Sequence, residues 1–132
     1  MKKDIVMPKV KDVYIAIVQE INEESRKWDW IVYLINDSRV PLESVMIMSR
    51  GRHEDGRKTS TFRHAFEVVA AKSFKKVELI VEEVFDFENE YLLTFFKDGK
   101  LYDKIFKARP HSITTKNCVT IPVKSQEGIL LS

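Results

Sequence analysis

The feature that most constrains the fold is a short turn between two segments of alternating apolar residues. Lys97-Asp98-Gly99-Lys100 separates residues 91–96 from residues 101–106. Asp tolerates a positive φ and Gly adopts one freely, and a two-residue hairpin turn requires such values. The pattern therefore predicts a β-hairpin in which the two segments pair antiparallel.

Alternation of apolar and other residues recurs along the rest of the chain. Period-2 alternation, together with an enrichment in β-branched residues, predicts strands. Further strands are predicted within residues 13–17, 28–35, 44–49, 62–68, 77–82 and 118–123. A helix is the alternative for residues 44–49, because methionine favours helices. Pro122 would place the last strand at the edge of a sheet.

Two of these segments predict which residues face the core. Beyond Asp29, residues 28–35 are apolar on both alternating faces. This suits a central strand packed on both sides, or one whose outer face is covered by a loop or a partner. Farther along the chain, Phe62 and Phe66 face opposite to Arg63, so we expect these aromatic residues in the core.

Polar and small residues separate the predicted strands. The sequence predicts a polar connection at residues 22–27, a turn at 36–38, a loop or wide hairpin end at 50–61, and a crossing between sheets at 70–76. After this crossing, residues 77, 79 and 81 are all apolar and alternate with residues 78, 80 and 82. We therefore expect Val77, Leu79 and Val81 to share one face of a strand.

About seven short strands with only weak helix candidates indicate an all-β protein. We predict a two-sheet antiparallel sandwich formed as one domain by residues 1–132, with a small β-barrel as the alternative. The order of the strands looks like that of the immunoglobulin-like sandwiches. Their Cys…Trp…Cys framework is missing, since Cys118 is the only cysteine, so the likeness concerns architecture alone.

Composition and the N-terminus favour an ordinary globular domain in the cytoplasm. The hydrophobic fraction is 44% and the charged fraction 32%, which is typical of globular proteins. No apolar run approaches the roughly 20 residues of a membrane helix, and Pro8 and the charges after it interrupt any secretory signal. A single cysteine cannot form an intramolecular disulfide. We therefore expect a cytoplasmic protein without membrane contact.

Charge is distributed unevenly, although the formal net charge is only +2. Residues 50–64 carry five Lys or Arg against two acidic residues, a local +3, whereas residues 77–96 carry six acidic residues and no Lys or Arg. Such asymmetry can orient a partner or a second copy of the chain. The alternative is two separate solvated surfaces.

Motifs for catalysis, metal binding and cofactor binding are not found. Residues 51–59 approach a phosphate-binding P-loop, but an extra Arg57 displaces the lysine and no helix is predicted to follow. Cys118 and His111 have no arrangement that marks a nucleophile and a base. His53 with its acidic neighbours and His64 could hold a metal, or simply keep a loop soluble. We expect no metal, no cofactor and no catalytic residue.

The strongest candidate for a ligand site is the basic stretch of residues 50–64. Basic and aromatic residues mix there, as in proteins that bind RNA or other anions. Nucleic acid remains an unfavoured partner, because the aromatic residues are expected in the core. The candidate ligand-binding residues are Arg50, Arg52, Arg57, Lys58, Arg63 and His64.

Several short stretches resemble a known family over nearly the full length of the chain. They are Lys2-Lys3-Asp4-Ile5, Lys11-Asp12-Val13-Tyr14, residues 30–37, Arg57-Lys58-Thr59-Ser60-Thr61 with Arg63-His64, and Ala71-Lys72-Ser73. The family consists of short uncharacterised bacterial proteins, some of which carry the label phenylalanyl-tRNA synthetase alpha subunit. The residues do not support that label. A class II synthetase core needs an Arg and a Glu two apart after a Phe, whereas Arg63 and Glu67 are four apart.

Three functional hypotheses follow. The leading one is a non-enzymatic binding or interaction module, which could form a homo-oligomer or bind another protein. It rests on the doubly apolar segment 28–35 and the opposed charges. The second is RNA or other anion binding through residues 50–64. The third is an unrecognised synthetase-related or hydrolytic role.

Overall fold

The computed structural model describes residues 8–132. Residues 1–7 lie outside the described residues, and with them Lys2-Lys3-Asp4-Ile5 and most of the segment considered as a signal. Strands account for every regular element of the described chain except two short 3-10 turns, Glu82–Val84 and Thr115–Asn117. The strands are β1 Val13–Ile21, β2 Trp28–Asn36, β3 Leu42–Arg52, β4 Phe62–Val69, β5 Ser73–Ile80, β6 Glu88–Lys97, β7 Lys100–Ala108, β8 Val119–Thr120 and β9 Glu127–Leu130.

The strands form two antiparallel sheets that pack face to face. One sheet has five strands in the order β5-β2-β1-β9-β8, and the other has four in the order β4-β3-β6-β7. Neither sheet closes on itself. The predicted two-sheet antiparallel sandwich is thus confirmed, and the barrel alternative is wrong. No helix within residues 8–132 is long and apolar enough to cross a membrane.

The hairpin predicted from Asp98 and Gly99 is present as β6 and β7. These two residues have φ values of 51° and 73°, and Lys97 pairs with Lys100 across the turn. Positive φ at both central positions matches the right-handed twist of the flanking strands. The turn therefore sets the register of the whole hairpin, down to the pair of Asn89 with Ala108.

Strand β2 is central and is buried on both faces, as its sequence predicted. It lies between β1 and β5. Trp30, Val32 and Leu34 belong to the main core between the sheets. Ile31 and Tyr33 belong to a second apolar cluster on the outer side, together with residues 121 and 123 of the same chain. A loop, and not a partner, covers this outer face.

Several predicted boundaries are wrong. Residues 50–52 belong to β3 and not to a loop, because they pair with residues 88–90 of β6. Residues 73–76 belong to β5, so only residues 70–72 cross between the sheets. The helix alternative for residues 44–49 is wrong as well, since they lie within β3. The last predicted strand shrinks to Val119–Thr120, at a sheet edge as Pro122 indicated.

Strand β9 was not predicted, because its four residues fall in what looked like a tail. It pairs with both β1 and β8. Gly128 allows this, since a Cβ at that position would lie 2.8 Å from the Ile17 carbonyl oxygen. A larger residue would push β9 away from β1.

A β-bulge reverses the predicted facing of β5. Val32 pairs with Glu78 while the next residue of β2, Tyr33, pairs with Lys76, so Val77 is the extra residue. Bulges locally re-aim the side chains of a strand. As a result Glu78 lies on the same side as the core, and Leu79 is 52% exposed. The expectation that Val77, Leu79 and Val81 share a face is wrong.

Candidate functional site

The basic residues at the start of the candidate stretch bind a buried carboxylate. Arg50 and Arg52 lie on β3 beside β6, where the register pairs Arg50 with Glu90. Arg50 Nε lies 2.9 Å from Glu90 Oε2, and an Arg52 terminal nitrogen lies 2.6 Å from Oε1. Burial raises the pKa of Glu90, but the hydrogen bonds from Arg52 and Arg50 outweigh it and hold the pKa below its ordinary value. Two of the candidate cations are therefore already paired.

Arg57 is also engaged within its own chain. Its Nε lies 2.7 Å from Asp55 Oδ2, and its guanidinium lies 5.1 Å from the ring centre of Phe87. His53 lies against Asp55 and Asp86, with nitrogen–oxygen distances of 2.9 and 3.2 Å. The basic stretch and the acidic segment 77–96 are thus neighbours that offset each other. They are not two opposed surfaces.

The remaining three candidates point in different directions. Among residues 8–132, Lys58 and Arg63 have no ion-pair partner. His64 faces the space between the sheets, where its Nε2 lies 2.6 Å from Glu78 Oε1. Lys58 lines a shallow depression with Arg50 and Arg52, together with two threonine hydroxyl groups. The six candidate residues therefore do not converge on one site.

Phe62 was expected in the core with Phe66, and this is wrong for Phe62. Its side chain is 56% exposed, whereas Phe66 is half-buried against the main core. Phe62 is the first residue of β4, opposite Ser49, and it lies on the rim of a cavity between β5 and the four-stranded sheet.

In the part of the chain that the structure describes, the side chains are not arranged to hold a metal ion or to activate a thiol. No group of three His, Cys, Asp or Glu side chains within residues 8–132 could hold a metal ion. Cys118 is half-buried just before β8. Burial and the nearby Glu127 raise the pKa of its thiol, which lowers the fraction of reactive thiolate at neutral pH.

The outer surface of the four-stranded sheet carries an apolar area that the sequence analysis did not identify. Met48, Leu92 and Ile105 lie side by side across β3, β6 and β7, and Phe96 pairs with Leu101 at the far end. We call this surface the open face. Its apolar members are Met46, Met48, Val68, Leu92, Phe96, Leu101 and Ile105.

These side chains remain accessible to solvent within the described chain. Met46, Val68, Phe96, Leu101 and Ile105 are 40–50% exposed, while Met48 and Leu92 are half-buried. Isolated exposed apolar residues are common, but seven of them on one face of a four-stranded sheet are typical of an interaction surface. Methionine is frequent at surfaces that adapt to a partner, because its side chain is flexible and polarisable.

Charges of opposite sign lie toward the two ends of the open face along the strand direction, and the acidic ones lie among its apolar side chains. At the Phe96 end the face carries Glu43 and Asp103, a net charge of −2. At the other end it carries four cations and two carboxylates, a net charge of +2. These are Arg50, Arg52, Arg63 and Lys107 with Glu88 and Glu90.

One signal could have found the open face from the sequence. Adjacent apolar residues such as Leu92-Leu93 and Phe95-Phe96 place apolar side chains on both faces of β6. The Asp98-Gly99 turn fixes the partners of Leu92 and Phe96 as Ile105 and Leu101, which are also apolar. Aligning the two strands of the hairpin from the sequence alone therefore predicts a second apolar face.

Comparisons with known proteins leave these surfaces without a precedent. No protein-family model matches the chain, and no curated protein or solved structure matches it significantly.

Proposed function

We propose that this protein is a non-enzymatic binding module that pairs with a second copy of itself through the open face. The observation that carries the proposal is the set of seven apolar side chains on one sheet surface, which no other part of residues 8–132 covers. Bringing this surface together with another removes apolar area from water, and that is the main driving force of protein association.

Charge complementarity favours a second copy over an unrelated partner. Consider a two-fold axis that lies between two stacked faces and runs across the strands. It brings the −2 end of each copy onto the +2 end of the other. Such an isologous contact is the commonest form of homodimer. Asp103 of one copy would then face Lys107 of the other, because both lie on β7, and Glu43 would lie over the basic end of β3.

The β7 edge of the four-stranded sheet is less suited to self-association. Strand β7 is an edge strand and carries Lys100, Lys104 and Lys107. Lysines along an edge oppose pairing with a strand of another molecule, because the like charges repel and are costly to desolvate. The face, and not this edge, is therefore the proposed contact.

The size of the face predicts a weak dimer. Four strands of 8–11 residues cover on the order of 500 Å², at about 4.8 Å between strands and about 3.3 Å per residue. Stable complexes bury about 800 Å² per partner. We therefore expect a concentration-dependent equilibrium between monomer and dimer.

Sedimentation velocity over a concentration series from about 1 μM to about 1 mM tests the proposal, because this range spans the affinities of weak complexes. Wild-type protein should shift from monomer to dimer. A double variant, Met46→Lys with Ile105→Lys, should remain monomeric. The matched control is Ile21→Lys, since Ile21 is 52% exposed on the other sheet. A monomer at all concentrations, or a double variant that dimerises like the wild type, would overturn the proposal.

Anion binding is the second candidate function. Arg50, Arg52 and Lys58 line one shallow depression, and a phosphate group there would compete with Glu90 for the two arginines. Binding of a short RNA should then weaken steeply as the salt concentration rises. Replacing Lys58 and Arg63 by Ala should weaken it further, and an unchanged affinity would remove this candidate.

A hydrolytic or synthetase-related role has less support. The thiol of Cys118 is poorly ionised, and Ser49 donates its hydroxyl hydrogen to Glu78 and not to a histidine. A cytoplasmic location, a bacterial source and an immunoglobulin-like topology stay predictions from the sequence. Localisation of a tagged protein in its source cell would test the first of these.

A further inference from the structure

A small cavity opens between the edge strand β5 and the four-stranded sheet, away from the open face. Its volume is about 120 Å³, enough for about four water molecules or one small organic molecule. Its polar side includes Ser49, Arg50, Glu78, Asn89 and Tyr91, and its apolar rim includes Phe62 and Val81. We call this cavity the Glu78 cleft.

The floor of the cleft is a largely buried carboxylate with one oxygen already occupied. Ser49 Oγ lies 2.7 Å from Glu78 Oε1, and His64 Nε2 lies 2.6 Å from the same atom. Glu78 Oε2 has no hydrogen-bond partner among residues 8–132. No buried polar side-chain atom in that range lacks a partner, so Oε2 is accessible to solvent, and Glu78 is one of the residues that line the cleft. Ser49 and His64 thus hold Oε1, and Oε2 remains available as a hydrogen-bond acceptor.

Tyr91 supplies a second unused polar group. Its side chain is only 1% exposed, and its hydroxyl group makes no hydrogen bond with any residue from 8 to 132. Burial and the charge of Glu78 raise the pKa of this hydroxyl, so it remains protonated. Asn89 uses its amide nitrogen on the carbonyl groups of Val84 and Phe87, which leaves its side-chain oxygen as another acceptor.

The bulge at Val77 explains how the carboxylate comes to face inward. Without it, the alternation of β5 would place Glu78 in solvent and Leu79 in the core. Burying a carboxylate beside apolar side chains costs stability unless it is fully hydrogen-bonded. Bulges frequently re-aim side chains next to binding sites. The fold thus places a partly unsatisfied carboxylate where an apolar residue would have packed more favourably.

The order of contacts argues for binding and against catalysis. In hydrolases that use a serine, a histidine lies between the serine and the carboxylate and takes the serine proton. Here Ser49 and His64 both contact Glu78, and no hydrogen bond joins them. The free groups are the acceptors Glu78 Oε2 and Asn89 Oδ1, together with the hydroxyl of Tyr91, which can donate or accept.

We propose that the Glu78 cleft binds a small primary ammonium ion with a short apolar tail. The ammonium group would donate to Glu78 Oε2 and to the neighbouring acceptors. The tail would cover Phe62 and Val81, which are 56% and 51% exposed at the rim. Arg50 also lines the cleft, but its guanidinium is paired with Glu90. The unpaired carboxylate oxygen of Glu78 therefore disfavours an anionic ligand.

Binding can be tested with three probes of nearly equal size, n-butylammonium, n-butanol and butyrate. Each is titrated into full-length ¹⁵N-labelled protein while amide chemical shifts are recorded. Butylammonium should cause saturable shifts around β5 and β6, with an affinity in the millimolar range because so small a ligand makes few contacts. Butanol should bind at least tenfold more weakly, and butyrate should not bind. Equal binding of butyrate, or no saturable shift with butylammonium, would overturn the proposal.

Three variants test which side chains of the cleft bind the ligand. Glu78→Gln keeps the shape and can still accept from Ser49, and it should weaken butylammonium binding at least tenfold. Glu67→Gln, on the exposed side of β4, is the matched control and should leave binding unchanged. Tyr91→Phe removes only the hydroxyl and should weaken binding several-fold. If Glu78→Gln remains folded by its spectrum and binds butylammonium as the wild type does, the assignment is wrong.

Discussion

The outer faces of the two sheets differ, although both carry apolar side chains. On the five-stranded sheet, Ile31, Tyr33 and Ile35 are covered by residues 121–124 of the same chain, and Ile121 is 1% exposed. On the four-stranded sheet, the open face has no such cover within residues 8–132. An apolar outer face therefore does not by itself indicate a partner. An apolar outer face indicates a partner only if no other segment of the same chain covers it.

The cover of the five-stranded sheet is held in place by Lys124. Its ammonium group lies 3.1 Å from Glu20 Oε2, and 4.0 and 4.3 Å from the ring centres of Tyr33 and Phe74. Tyr33 donates its hydroxyl hydrogen to Glu20 at 2.6 Å. Val123 adopts a φ of 67°, which is costly for a β-branched residue. The packing of the cover therefore outweighs local strain.

The largest expected difference between the two faces is in stability. Ile121→Ala should lower the free energy of unfolding by about 2–4 kcal/mol, because it leaves a cavity beneath the cover. Ile105→Ala on the open face should lower it by no more than about 0.5 kcal/mol in the monomer. Urea denaturation of both variants at low protein concentration measures the two values. Similar losses would mean that the open face is covered.

A smaller effect is expected from removing the charge that fastens the cover. Lys124→Met keeps most of the aliphatic packing but loses the ion pair and the contact with the two rings. This substitution should lower the free energy of unfolding by about 1–2 kcal/mol, because the Lys124 side chain is only 8% exposed. Lys104→Met is the control, since Lys104 lies over Phe106 on an exposed edge strand. An equal loss of unfolding free energy in both variants would contradict a special role for Lys124.

The stabilisation by Glu20 should depend on pH. Burial raises the pKa of Glu20, but the hydrogen bonds from Tyr33 and Lys124 outweigh it and leave the pKa below 4.5. A lowered folded-state pKa stabilises the protein above the unfolded-state pKa, and this contribution is lost as pH falls through the folded value. The stability difference between wild type and Glu20→Gln should therefore be constant near neutral pH and shrink below about pH 4.5. A difference that grows on acidification would contradict this sign.

The smallest expected effect concerns the charges at the ends of the open face. One double variant, Glu43→Lys with Asp103→Lys, makes both ends positive. A second, Arg63→Glu with Lys107→Glu, makes both ends negative.

Each double variant alone should dimerise more weakly than the wild type, whereas an equal mixture should form a heterodimer. The effect should decrease with added salt. Sedimentation of a mixture in which one variant is fluorescently labelled measures heterodimer formation. If the mixed dimer forms no more strongly than either homodimer, the two-fold arrangement is excluded.

Much of the fold follows from local patterns that survive in the structure. The Asp98-Gly99 hairpin, the central strand β2 and the antiparallel sandwich were all predicted, because turn chemistry and period-2 alternation act over a few residues. The facing of β5 was not predictable in this way. The bulge at Val77 arises from pairing with Val32 and Tyr33, which lie more than 40 positions earlier in the chain.

The candidate site was predictable only in its composition. Arg50 and Arg52 are visible as cations in the sequence, but their neutralisation by Glu90 depends on the pairing of β3 with β6. The Glu78 cleft likewise depends on strand pairing, because it joins residues of β3, β4, β5 and β6. The sequence therefore shows which residues are charged, but the pairing of the strands determines which of these charges have no partner within the protein.

The sequence by itself determined that this chain forms strands, where its tight hairpin lies, and that its core is large enough for one domain. These properties depend on backbone preferences and on apolar spacing within short segments. Only the tertiary structure decided which apolar face is covered by Lys124 and its neighbours, and that Glu78 faces inward. The physical reason is that burial and ion pairing depend on distances between segments, and those distances are set when the sheets pack.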